Sequence, residues 1–286
     1  MEEMTVVTRK HATLIAVAAG LAAMAAIPSA SAEGKLEEVL ARGKLIVGTG
    51  STFAPWSFRD ESGALVGFDV DIAKILAKGL FDDPEAVEFV VQGADARIPN
   101  VTTGKVDITC QYVTTTAARA QQVAFTIPYY REGVGLLVLK DSKYKSYDDI
   151  KAAGSAVTAG VLQNVFAEDT VHQALPEANV DQFESADLPF QALSAGRIDA
   201  VVSDVSSLGW QIAQNPDKYR DLGYGWYAQS YSCAVKRGDA DWLQWVNTAL
   251  HEAMTGVEFP TYRASFRKWF GADLPEPKVG FPAEMD

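Results

Sequence analysis

Hydrophobic positions along this chain change period repeatedly, and each change marks a predicted element. "GKLIVGTG" is an unbroken apolar run closed by glycines, the pattern of a buried strand. "FDVDIAKILAKGL" sets Ile72, Ile75, Leu76 and Leu80 on one helical face. Asp69 and Asp71 fall early in that helix, where its dipole favours carboxylates. "AVEFVVQ" predicts a second strand and "KVDITC" a third. Between them "DARIPNVTTG" predicts a helix with Asp95 as N-cap, Pro99 in its opening turns and Gly104 at its end. The alternation then restarts. "GVGLLVL", "AVTAGV" and "IDAVVSD" are strands, and "SYDDIKAAG", "NVFAEDTVHQAL" and "VSSLGWQIAQN" are helices. Such alternation predicts an α/β chain with a largely parallel sheet. The tail, "DADWLQWVNTALHEAMTG" and "EFPTYRASFRKWF", is helical, with Trp242, Trp245, Val246, Leu250 and Met254 at core spacing.

One internal echo bears on function. "TTGKVDITCQ" and "SAGRIDAVVSD" both run from a helix end into a strand whose far end is polar. Ligands of open α/β sheets sit at the carboxyl ends of strands. The echo therefore predicts two lobes of similar build facing one cleft.

The N-terminus reads as an export signal. Arg9 and Lys10 precede the apolar "HATLIAVAAGLAAMAAIP", and "SASA" offers Ala30 and Ala32 to a signal peptidase, so cleavage is expected after Ala32. The net charge of −12 belongs to the mature chain, because Glu2 and Glu3 cancel Arg9 and Lys10. That sign argues against nucleic acid or anionic lipid as a partner. An anionic ligand would need local cations and backbone amides instead. Two cysteines in an exported chain, Cys110 and Cys233, favour a disulfide, the alternative being a pair of buried thiols. The three scattered histidines make no zinc site. "GTGSTF" lacks the final glycine of a dinucleotide fingerprint and the Gly-Lys pair of a P-loop, so no cofactor is expected.

The stretch with candidate chemistry is "TCQYVTTTAARAQQVAFTIPYY", Thr109–Tyr130. Three threonines lead into a short helix start with one cation, Arg119. Hydroxyls, helix amides and a guanidinium fork together suit a carboxylate. Thr116 is either a further donor or the N-cap of "AARAQQ".

Four motifs in order, "KLIVGTGSTFAPWSFRDESGALVGFDVDIAKILA", "RIPNVTTGKVD", "TTTAARAQQVAFTIPYY" and "LSAGRIDAVVSD", resemble the solute-binding proteins of ABC importers for polar amino acids, family 3. The resemblance implies an exported periplasmic protein built as a two-lobed clamp, each lobe a mostly parallel sheet flanked by helices, with two crossing strands as hinge. Lobe one would be 33–130 plus 232–286 and lobe two 131–231, with crossings near "TIPYYREG" and "SYSCAVKR". It further implies that Arg119 grips the ligand α-carboxylate, Thr114 bonds the ligand backbone, Asp204 accepts from the ammonium, and Phe53 stacks on the side chain, a core role being the other reading of Phe53. Asp204 can alternatively cap the helix "VSSLGWQIAQ". Trp56 and Phe58 read as core.

Departures from the family bear on the substrate. Gly50 stands where cationic-amino-acid binders carry an acid, and Ala94 replaces an aromatic. "QNVFAE" replaces the usual Gly-Ser/Thr-Ser/Thr turn, so a contact there would come from Gln163 or from backbone N–H near Val165 or Phe166. "ARIP" and "TCQYVTTTAAR" are similar to glutamate/aspartate-type binders, in which the position matching Arg97 holds a side-chain carboxylate. A surface helix residue is the other reading of Arg97. Gln111 and Tyr112 lie at the cleft end of their strand and could read a polar side chain. The expectation is a monomer, not an enzyme, that carries an acidic or neutral amino acid to an importer permease. Cyclohexadienyl dehydratases resemble the same clamp, and Glu168 is the candidate acid for that alternative.

Overall fold

The computed structural model describes residues 34–278 and 280. The expected leader, 1–32, and its cleavage point lie outside the described residues. Ahead of the first strand is α1 (Lys35–Arg42), which the pattern reading does not foresee. The chain continues as β1 (Leu45–Thr49), a three-stranded antiparallel ribbon of β2 (Thr52–Phe53), β3 (Ser57–Arg59) and β4 (Leu65–Val66), then α2 (Phe68–Phe81), β5 (Val87–Val91), α3 (Arg97–Thr102), β6 (Ile108–Thr109), α4 (Ala117–Ala120) and β7 (Val123–Leu139). Next come α5 (Tyr147–Ala152), β8 (Thr158–Leu162), α6 (Ala167–Ala174), β9 (Asn179–Phe183), α7 (Leu188–Ser194), β10 (Ala200–Asp204) and α8 (Val205–Gln214). The long β11 (Tyr219–Lys236) leads to α9 (Ala240–Thr255) and α10 (Phe259–Phe270).

The main sheet has the order β5-β1-β6-β11-β7-β10-β8-β9. β1 pairs in parallel with β5 and β6, and β8 pairs in parallel with β9 and β10. Both halves of the sheet thus have the parallel pairing that the alternation predicts. They are joined by β7 and β11, which pair antiparallel to each other over 17 and 18 residues. At about 3.3 Å per residue such strands span roughly 55 Å, so each serves both halves. Register shifts along β11, between Trp226 and Gln229 and between Tyr231 and Ser232, bend it where it passes from one half to the other.

Packing follows the same division. Val47, Ile72, Leu76 and Ile108 form one core with Trp56, Trp242, Val246 and Leu250, so α9 closes over the first half. Leu136, Val171 and Val202 pack on one face of the second half, and Leu137, Phe190, Val201 and Leu208 on the other. Trp56 is wholly buried and Phe58 packs against the same core, as their reading as core residues expects.

Local chemistry sets several element ends. Ser146 and Asp149 form a reciprocal capping box at the start of α5. Gly67 precedes α2 with φ 133°, and a Cβ there would lie 2.2 Å from the Trp56 carbonyl oxygen, so only glycine fits. Asp95 is not the N-cap that the sequence suggests. It sits inside a 3₁₀ turn, Ala94–Ala96, that precedes α3 and starts from Gly93 without a side-chain cap. Cys110, just after β6, is bonded to Cys233 in β11, closing a loop with a separation of 123 residues.

Candidate ligand-binding cleft

A cavity of about 90 Å³ opens where the two halves face each other across the crossing strands. Seven of the nine residues singled out from the sequence line it: Phe53, Arg97, Tyr112, Thr114, Arg119, Phe166 and Asp204. Gln163 is exposed and not in the lining; its neighbour Asn164 is. Gln111 is buried behind the wall, where its amide oxygen accepts from Gln92 Nε2 at 3.0 Å.

Arg119 is delivered by α4. Thr116 caps that turn, its hydroxyl accepting from the Arg119 N–H at 3.2 Å, so its capping role is the one realised. The guanidinium is buried, spends one Nη1 bond on the Thr114 carbonyl at 2.9 Å, and lies 5.0 Å from the Phe166 ring of the opposite half. Burial first, and the neighbouring Arg97 second, push its pKa down to about 10, which leaves it charged at neutral pH. Arg97 is no surface cation. It is 5% exposed, donating from Nε to the Ala94 carbonyl and from Nη1 to the Gln111 carbonyl, with Tyr112 under its guanidinium at 5.1 Å. The arginine salt bridges among the described residues belong to Arg42 and Arg263. The two cavity cations therefore face the space without a carboxylate partner.

Asp204 ends β10 and stands at the N-cap of α8, yet its side chain makes no cap bond. Its Oδ1 accepts instead from Gln229 Nε2 at 2.8 Å. Gln229 also accepts from Thr114 Oγ1 at 2.8 Å and donates to the Tyr231 hydroxyl at 2.9 Å. One amide thus links the hydroxyl of one half to the carboxylate of the other. Burial pushes the Asp204 pKa up to about 6, against the opposing pull of its bonds to Tyr231 and Gln229 and of Arg97. Glu132 of β7 lies behind it. Burial and the Asp204 charge hold that carboxyl well above the usual range, although Ser206 donates to it from N and Oγ.

Tyr227, Gln229 and Tyr231 are cavity residues that the strand-end logic misses, because they lie within a crossing strand. The available signal was the polar run "YAQSY" inside an otherwise alternating strand. The expected lobe-two amide contact changes as well: the Phe166 N–H is bonded to Asn164 Oδ1 at 2.9 Å, and Val165 is 78% exposed. Glu168 is exposed on α6 and does not line the cavity. Among the described residues no cluster of His, Cys, Asp and Glu could hold a metal ion, and no helix is long and apolar enough to cross a membrane.

Residues 45–272 match the bacterial extracellular solute-binding proteins, family 3. The chain belongs to that family. Its members bind small amino-acid ligands and work with ABC-importer permeases. The L-cystine-binding protein TcyJ of Escherichia coli K12 is 30% identical over 269 residues, 93% of this chain and 97% of that one. The glutamine-binding protein of Geobacillus stearothermophilus is 36% identical over 188 residues, 65% of this chain and 70% of that one. Among solved structures, the ancestral amino acid-binding protein AncCDT-1, a precursor of cyclohexadienyl dehydratase, superposes with a TM-score of 0.73 at 34% identity, covering 82% of this chain and 99% of that one. These family neighbours are two-lobed α/β amino-acid-binding proteins, the fold class that the alternation and the motifs imply.

Proposed function

We propose that this protein is a periplasmic carrier that captures a polar L-amino acid, acidic or neutral, in the cleft and delivers it to the permease of an ABC importer. The observation that carries the reading is one cavity with a guanidinium that has no carboxylate partner among the described residues, Arg119, on one half and a carboxylate that makes no helix-cap bond, Asp204, on the other. An α-amino acid bears the complementary pair of charges on one carbon. Its carboxylate meets the Arg119 fork and the Thr114 hydroxyl, and its ammonium donates to Asp204. Phe53 flanks the side chain, and Arg97 supplies a second cation for a side-chain carboxylate or amide oxygen. Residues 33–130 with 232–286, and residues 131–231, act as the two lobes, with β7 and β11 as the hinge. A ligand that touches both lobes prefers the closed arrangement, and no further chemistry is needed for capture.

A thermal-shift screen over the twenty amino acids tests this. At 100 times its dissociation constant, a ligand binding only the folded protein adds about 2.7 kcal/mol of stability. A polar amino acid is expected to raise the melting temperature, and a flat response to all twenty would end the proposal.

The Asp204 pKa gives a pH signature. The ammonium binds the ionised carboxylate, which predominates above pH 6 and is lost below it. Affinity measured by calorimetry is expected to hold between pH 7 and 8 and to fall about tenfold at pH 5. Asp204→Asn should abolish that dependence while weakening binding throughout.

A further inference from the structure

Tyr112 stands between two spaces. Its ring lines the 90 Å³ cavity, and it also lines an adjoining cavity of about 240 Å³ bounded by Gly50, Gln92, Ala94 and Glu184. The hydroxyl end points to the second space, since a Cβ built on Gly50 would lie 3.3 Å from it. The ring packs edge-on against Phe53 at 4.4 Å and is covered by Arg97 at 5.1 Å, so it does not swing freely.

The backbone beneath it is strained. Among the described residues three non-glycine residues have positive φ: Asp82 at the end of α2, and Tyr112 (φ 38°) and Tyr227 (φ 54°), both lining the cavity. Tyrosine has no local reason to adopt that conformation, and strain of this kind persists only where the surroundings over-determine it. They do so here. The Tyr112 N–H donates to Asp69 Oδ2 at 2.9 Å, and the other oxygen of that buried carboxylate accepts from the Tyr129 hydroxyl at 2.7 Å. On the far side of the residue, Arg97 Nη1 reaches the Tyr112 carbonyl at 3.4 Å.

We infer that Tyr112 is a length filter: its ring closes the side-chain end of the cleft and restricts the protein to amino acids with short polar side chains, on the scale of serine, asparagine or aspartate. The inference rests on the amino-acid-carrier reading and narrows it. Long side chains would need the outer space, which the ring shuts off.

Tyr112→Gly is the informative variant, because glycine accepts positive φ while removing the ring. Calorimetry should compare serine, asparagine and aspartate with glutamine, arginine and cystine. The expected result is a wild-type preference of at least tenfold for the short set. Tyr112→Gly should gain at least tenfold for one or more of the long ligands, and Tyr112→Phe should keep the wild-type order. A wild type that binds a long ligand more tightly than every short one overturns the inference, as does a folded Tyr112→Gly with unchanged order. Should that variant not fold by circular dichroism, the wild-type order and Tyr112→Ala decide the matter. Binding of no amino acid by the wild type removes the carrier reading and this inference together, whereas tight binding with the wrong order removes the inference alone.

Discussion

Arg119→Ala is expected to weaken the best-bound amino acid by at least about 100-fold, because a bidentate guanidinium–carboxylate contact contributes two charged hydrogen bonds of about 1.5–3 kcal/mol each. Among the described residues the Arg119 side chain makes one hydrogen bond, to the Thr114 carbonyl, besides its contact with the Phe166 ring, so the folded state should tolerate its removal. Arg119→Lys retains the charge but not the fork, and should still lose about tenfold. Titration calorimetry on both variants, with melting curves as a check on folding, measures the effect. Wild-type affinity in Arg119→Ala would show that the carboxylate is held elsewhere.

The second large effect concerns stability. Converting both Cys110 and Cys233 to serine removes a bridge that closes a long loop, and the folded state should lose about 2–5 kcal/mol. For a protein of this size the melting temperature should fall by on the order of 10 °C. Denaturant melts of the oxidised protein, the reduced protein and the double variant check this. Coincident midpoints would mean that the bond is energetically idle.

Much of the fold was legible because burial writes its period into the chain. Ile72, Ile75 and Leu76 could only be one face of a helix against a sheet, and the strand "LIVGT" had no polar face to offer water. The parts that escaped have short or two-sided signals. The ribbon β2–β4 has strands of two or three residues, below any readable period. Asp95 illustrates a local rule losing to tertiary context. Its cap reading was sound chemistry, but Arg97 has to reach the carbonyls of Ala94, Gln111 and Tyr112, and a 3₁₀ turn takes the place of a capped helix start.

The cleft was readable where function puts an unusual residue at a strand end, as with Asp204, or behind a row of hydroxyls at a helix start, as with Arg119. Gln111 follows a strand of the sheet yet does not reach the cavity, since it lies in the bend after β6 and Gln92 claims its amide. Gln229 and Tyr231 left only the polar run "YAQSY" as a local trace. They matter through a pairing across the sheet, Gln229 with Glu132 and Tyr231 with Tyr130, and a pairing between distant segments cannot be read from either one alone.

The covalent bridge has a mechanical corollary. It bolts the segment that leads to Thr114 and Arg119 onto the very strand that carries Gln229, so the cationic side of the cleft behaves as an anvil fixed to β11. The opposite jaw, with Asp204 and Phe166, has no such bolt and is held by hydrogen bonds and packing alone. On the carrier reading proposed above, cargo would leave by the anionic side moving away, while Arg119 stays in place for the next molecule.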